Sequence, residues 1–290
     1  MEVQNGRVGR RSSMNCFKLV KSVLDEQYGA IPGKEAEKDK AIHEKLNYLS
    51  AKYAKLGGGQ EHKIDYADLV TRFAYIYRYV TSHADYVCSL IDSTGLTKLF
   101  DEKKLTISCI GGGPGSDLVG VLKCVENAGK TPSLRFTLLD KEATWFESWC
   151  DVDEKLATSL QTNVNFQPFD VTNEASWKPH QKYLNAHLFT LIYFVSETYC
   201  LREKAATFYK HLFENATSGA YFLYLDNNAS CFSDWFDGLW KASKMKLVDG
   251  KGCTIWTDFG EEKKDLGEYH KKFGDPKLKA DIAYRILQKK

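Results

Sequence analysis

Gly111, Gly112, Gly113 and Gly115 stand within five consecutive positions, directly after the apolar run 105–110. Only glycine lets a chain turn with positive φ and lets a ligand meet the backbone with no Cβ in the way. Ser116 is placed to cap a helix whose Leu118, Val121, Leu122 and Val125 recur at helical spacing. Strand, glycine turn and helix together set unpaired N–H groups beside an open strand end, a crevice suited to a nucleotide-like ligand. The dinucleotide fingerprint G-x-G-x-x-G would require a glycine where this chain has Ser116, which weighs against NAD.

Acids follow in order. Asp140 closes a second apolar run, 134–140, and Asp170 stands in a third, 165–171. A strand-end carboxylate can accept both hydrogen bonds of a ribose diol, and such charge-assisted bonds are strong. Glu197 follows the strongly apolar run 188–195, and Asp226 follows 220–225; these are the candidates for acid or base work. Asn227 and Asn228 can orient an acceptor through their amides. Carboxylates and asparagines at strand ends also cap helices, so a capping role for Asp226 or Asn228 stays open.

The spacing of Gly111, Gly113 and Gly115, followed by the two ordered acids, resembles motif I and its partners in class I S-adenosylmethionine-dependent methyltransferases. The resemblance spans roughly residues 100–290. It implies an α/β, Rossmann-like, doubly wound and mostly parallel seven-stranded sheet with its last strand antiparallel, carrying an N-terminal helical extension. It also implies S-adenosyl-L-methionine as cofactor, contacted by Gly111, Gly112, Gly113, Pro114, Gly115, Asp117, Asp140, Lys141, Asp170, Val171, Phe194 and Ser196. By the same resemblance Asp170 would meet the adenine amino group and residues 194–197 would line the reaction centre. Many family members carry an acid two positions before the first glycine; Cys109 stands there, so that contact would fall to Asp117 or to the N-terminal helices.

The implied activity is methyl transfer to a nitrogen or oxygen acceptor, with Glu197, Asp226 and Asn227 as catalytic candidates and Tyr75, Tyr79 and Asn228 as substrate contacts. A small-molecule substrate is the first expectation, because no Asp-Pro-Pro-Tyr motif or placeable cysteine pair suggests nucleic-acid methylation. An RNA nucleoside methyltransferase and a non-catalytic scaffold of the same fold are the alternatives. The first would use basic clusters and aromatic platforms.

Helices must position these groups. Residues 15–28 form one amphipathic pattern and 34–56 a second, with Ile42, Leu46, Leu49, Tyr53 and Leu56 at alternating steps of four and three. A third, 65–92, carries Tyr75 and Tyr79 well round from its Phe73 face, as expected of a helix covered on several sides; the tyrosines either simply pack or, as the resemblance to similar methyltransferases implies, belong to a lid over the cofactor. Residues 14–100 are thus read as a helical extension or lid, 101–290 as the catalytic domain and 1–13 as a disordered tail. Helices are expected over 202–215 and 233–242, and a closing strand pair over 253–259 and 280–287, joined by the polar stretch 260–279.

The chain of 290 residues has 43% hydrophobic content, enough for one large α/β domain. Its 40 basic and 38 acidic residues leave a net charge of +2, so no global field points to nucleic acid or membrane. Eight cysteines are scattered without a C-x-x-C pair or histidines at zinc spacing, which predicts free thiols, a reducing compartment and no metal. No apolar stretch reaches the roughly 20 residues that cross a bilayer, and the start lacks a signal-peptide core, so a cytoplasmic protein is expected.

Overall fold

A computed structural model describes residues 14–58, 64–257 and 263–290. Asn15 accepts a hydrogen bond from the Lys18 amide (3.0 Å) and so caps α1, Cys16–Ala30. Helix α2, Glu35–Tyr53, buries Ile42, Leu46 and Leu49 as its four-three stepping requires. The third helical stretch is continuous but not uniform: α3, Leu69–Tyr75, passes through a π-helical turn, Ile76–Val80, into α4, Thr81–Ser93. Such turns shift the side-chain phase by one residue, and they are frequent at functional sites.

Strands and helices then alternate: β1 Lys104–Ile110, α5 Ser116–Asn127, β2 Ser133–Asp140, α6 Trp145–Lys155, β3 Thr162–Pro168, α7 Glu174–Trp177, β4 Leu188–Ile192, α8 Phe194–Thr198, α9 Arg202–Asn215, β5 Tyr221–Asn227, α10 Ser230–Lys241, β6 Met245–Trp256, α11 Glu268–Phe273 and β7 Lys279–Lys289. The seven-stranded sheet has the order β3-β2-β1-β4-β5-β7-β6. β1 to β5 are parallel, and β7 runs antiparallel to both β5 and β6. This is the Rossmann-like, doubly wound arrangement. Its strand order reverses between β1 and β4, which leaves a crevice at their C-terminal ends.

Helices on both faces explain why the central strands read as unbroken apolar runs; β4 is buried at every residue. On one face Phe189, Phe208, Phe213, Phe222 and Phe236 form a single cluster. On the other, a cluster runs from Phe17, Leu49 and Phe73 through Leu105 and Leu122 to Leu223 and Ile286. The N-terminal helices therefore share a core with the sheet, and no separate core begins at residue 101. Helix α4 lies tightly on α5. A Cβ at Gly120 would stand 2.5 Å from the Ala84 carbonyl oxygen, and Lys123 Nζ pairs with Asp85 Oδ1 at 2.6 Å with both side chains 0% exposed.

Several boundaries differ from the sequence expectation. β3 ends at Pro168, two residues before Asp170, since proline lacks the N–H that a longer ladder needs. β4 ends at Ile192 because Tyr193 takes φ 55, a left-handed conformation no strand continues. β5 instead runs on through Asp226 and Asn227. β6 begins at Met245 rather than Cys253: Gly250 and Gly252 both sit in the ladder, where a Cβ would meet Arg285 Cδ at 2.7 Å and Asn228 Oδ1 at 2.8 Å. Ser116 is the first helical residue and caps nothing; Gly115, at φ 85, holds the cap position. The tail 1–13 and the positions 258–259 lie outside the described residues.

Candidate functional site

The glycine turn is assembled from both sides. Gly111 N donates to Leu139 O (2.7 Å), which ties the end of β1 to β2, and Gly115 N donates back to Gly112 O (2.8 Å). Gly111, Gly113 and Gly115 all have positive φ (69, 47 and 85°). Asp140 completes the turn: its Oδ2 accepts from Gly113 N at 3.0 Å and its Oδ1 from Glu142 N at 2.9 Å. Burial holds its carboxyl up to about 6, the two backbone donors only partly offsetting that.

Aromatic rings flank the turn. A Cβ at Gly111 would stand 2.1 Å from the Phe194 ring, whereas one at Gly113 would meet only Trp145, at 3.9 Å. Between them opens a partly enclosed cavity. Gly111, Gly113, Asp140, Lys141, Asp170, Val171, Phe194, Glu197 and Tyr75 all line it. The structure thus brings the glycine turn, both strand-end acids and Glu197 together. Asp170 Oδ1 accepts from the Thr172 amide (2.9 Å) and hydroxyl (2.7 Å), which fixes the loop after β3.

Glu197 projects from α8, whose start is set by the left-handed Tyr193. That residue is the sole non-glycine with positive φ among the described residues. Strained backbone of this kind persists where its surroundings over-determine it. Here Tyr193 N donates to Leu225 O (2.7 Å), its ring stacks on His83 at 4.4 Å, and Lys277 Nζ lies 4.9 Å from the ring centroid. Burial, reinforced by the Lys277 charge, holds the His83 imidazole well below its ordinary pKa. Glu197 Oε1 accepts from the Tyr53 hydroxyl at 3.0 Å, and that hydroxyl bonds in turn with the hydroxyl of Tyr66. Burial pushes the Glu197 carboxyl up to about 7; the Tyr53 hydrogen bond opposes this, and the negative fields of Asp140 and Asp226 add to it.

Other expected site residues lie elsewhere. Gly112, Pro114 and Gly115 are buried behind the turn; a Cβ at Gly112 would meet Cys109, and one at Gly115 would meet Trp149 at 2.6 Å, so their smallness serves packing. Asp117 is also buried, with Thr190 donating to it and the Cys109 thiol beside it, between β1 and β4 rather than in the cavity. Burial raises its carboxyl to about 6. Ser196 is buried within α8, and Tyr79 packs behind Tyr75, at 5.2 Å between ring centroids.

Asp226 is a correction of consequence. It is 0% exposed, and its oxygens accept from Ser196 N and Asn227 N, both at 2.7 Å. Because β5 continues through it, the pleat turns its carboxylate under α8, where it caps that helix instead of reaching a substrate. Asn227 Nδ2 bonds Asp226, and the exposed Asn228 reaches Asp281 on β7 at 3.1 Å, so neither amide lines the cavity. Asp226→Ala is therefore expected to cost about 1–3 kcal/mol of stability through the orphaned Ser196 amide, as read by chemical denaturation. A variant as stable as the parent would show the cap to be immaterial.

Trp145, Tyr53 and Tyr66 were not anticipated as site residues. Trp145 and Tyr66 line the cavity, their rings 4.9 Å apart. Trp145 lies five positions after Asp140, in the first turn of α6, and that proximity was a usable signal. Tyr53 and Tyr66 carried none, since their meeting with Glu197 is long-range.

No protein-family model matches the chain, and no curated protein matches it. Solved structures similar to it include S-adenosylmethionine-dependent methyltransferases. The plantazolicin methyltransferase in complex with SAH is 14% identical, with a TM-score of 0.47 over 86% of this chain and 99% of that one. A SAM-dependent methyltransferase from Methanosarcina mazei is 8% identical (TM-score 0.46, 67% of this chain and 96% of that one). One from Clostridium acetobutylicum is 9% identical (TM-score 0.45, 77% and 99%). Strand order and register, rather than these distant likenesses, define the fold described above.

Proposed function

We propose that this protein transfers a methyl group from S-adenosyl-L-methionine to a nitrogen or oxygen acceptor on a small molecule. The observation that carries the proposal is the convergence, on one cavity at the strand-order reversal, of a Cβ-free turn at Gly111 and Gly113 with carboxylates at Asp140 and Asp170. The fit is specific. Gly113 leaves room where any side chain would intrude, Asp140 offers lone pairs to a diol, and Asp170 with Val171 borders the part of the cavity an adenine would take. Asp140, Glu142, Asp170 and Glu197 line the cavity against Lys141 alone, which opposes a polyphosphate chain and supports a small acceptor.

When bound, the cofactor supplies an electrophilic methyl carbon. The chain's own contribution is to hold an acceptor in line with it, a form of positioning worth roughly 7–11 kcal/mol of barrier. Tyr193 and Phe194 keep water from the reaction centre, and Glu197 receives the acceptor's proton.

Calorimetric titration of the full chain with S-adenosylhomocysteine tests the cofactor half; absence of binding would refute it. The Glu197 assignment predicts a pH signature. A base works only when ionised, so with its carboxyl near 7 the rate should rise through that pH and fall about tenfold per unit below it. Glu197→Gln should lose that inflection. An unaltered profile in the variant would assign the ionisation to another group.

A further inference from the structure

We infer that the acceptor is a basic amine, received as its ammonium ion between the Glu197 carboxylate and the rings of Tyr66, Tyr75 and Trp145; the inference rests on the methyl-transfer reading.

Three of the four cavity acids are already engaged by the fold. Asp140 uses one oxygen on Gly113 N and the other on Glu142 N. Asp170 is tied to Thr172, and Glu142 Oε1 accepts from the Thr144 amide (3.1 Å) and hydroxyl (2.7 Å). Glu197 differs in its partner: Oε1 accepts from Tyr53, whose hydroxyl bonds with that of Tyr66 in the aromatic wall, while Oε2, like the second oxygens of Asp170 and Glu142, accepts no hydrogen bond from the described residues. A carboxylate half satisfied and open to a cavity calls for a donor from the ligand.

The opposing wall is aromatic. Tyr66 and Trp145 have centroids 4.9 Å apart, Tyr75 and Trp145 5.2 Å, and Tyr66 and Tyr75 5.7 Å, and all three line the same cavity as Glu197. Ring faces attract an ammonium group and offer nothing to an anion. The Tyr66–Tyr53–Glu197 hydrogen-bond chain fixes the phenols, so the wall and the carboxylate are held together before a ligand arrives. An alcohol acceptor fits less well, because it carries no charge for the ring faces to attract. An anionic acceptor would be repelled.

The proton and charge inventory closes. The ammonium gives one proton to Glu197 Oε2, leaving a neutral nitrogen lone pair. That pair forms the N–C bond as the S–C bond breaks, and the electron pair of the broken bond stays on sulfur as a thioether. The product leaves as a methylammonium ion, and Glu197 returns its proton to water.

The test uses the full chain in two steps. S-adenosylhomocysteine is titrated first, and failure there refutes the cofactor reading itself. The loaded protein is then titrated with benzyltrimethylammonium and with benzyl alcohol, which share a ring and differ in charge. The cation is expected to bind about tenfold or more tightly than the alcohol. Glu197→Gln should abolish the preference, and Trp145→Leu should reduce it while keeping Glu197. Equal affinity for the two probes, or binding of neither, overturns the inference and leaves the cofactor reading intact. It is also overturned if S-adenosylmethionine binds far more tightly than S-adenosylhomocysteine and Glu197→Gln removes that difference. The carboxylate would then serve the cofactor's own sulfonium.

Discussion

Gly111→Ala is expected to abolish S-adenosylhomocysteine binding and to lower stability by about 3 kcal/mol or more. The new methyl would stand 2.1 Å from the Phe194 ring, and φ at this position is +69°, a conformation that costs a residue with a Cβ roughly 1–2 kcal/mol. Phe194 cannot yield easily, because it follows the left-handed Tyr193 and opens α8. Displacing it would move Glu197 and close the cavity from within. Calorimetry and chemical denaturation read the two effects separately, and adding Phe194→Ala should recover part of the stability. Parental affinity in the single variant would place the ligand away from this turn. Gly113→Ala makes the steric contrast, since only Trp145, at 3.9 Å, stands near the new methyl and the remaining cost is that of a φ of 47°.

Asp140→Ala is expected to weaken S-adenosylhomocysteine binding by about two orders of magnitude, as two charge-assisted hydrogen bonds to a ribose diol would imply. It also removes the acceptor of Gly113 N and Glu142 N, so the free chain should lose about 1–3 kcal/mol. Asp140→Asn separates these effects. It keeps one carbonyl oxygen for the turn and surrenders the charge, so affinity should fall further than stability does. An Asp140→Ala variant that binds like the parent would remove this carboxylate from the ligand site.

Asp140 was legible because an apolar run ended in a carboxylate at the open end of a parallel strand, where alternation and strand length alone fix its location. Glu197 and Asp226 looked equivalent on that criterion and are not. One strand breaks at Ile192 and tips Glu197 toward the cavity; the other continues past Leu225 and folds Asp226 beneath α8. Nothing local announces that break, since a tyrosine in the left-handed region is held there by His83 and Leu225, more than thirty residues away on either side. The π-helical turn at Ile76–Val80 was equally silent, and it separates Tyr75, which reaches the cavity, from Tyr79, which does not. The partnership of Tyr53 with Glu197 spans 144 residues and belongs to tertiary packing rather than to any pattern.

The contact between α4 and α5 limits how a substrate can enter. A backbone carbonyl fills the place of a missing side chain at Gly120, with a shielded ion pair alongside, so α4 cannot leave α5 without exposing a buried charge pair. Any opening on that side is left to side chains such as Tyr66, whose hydroxyl bonds Tyr53 as Tyr53 bonds Glu197.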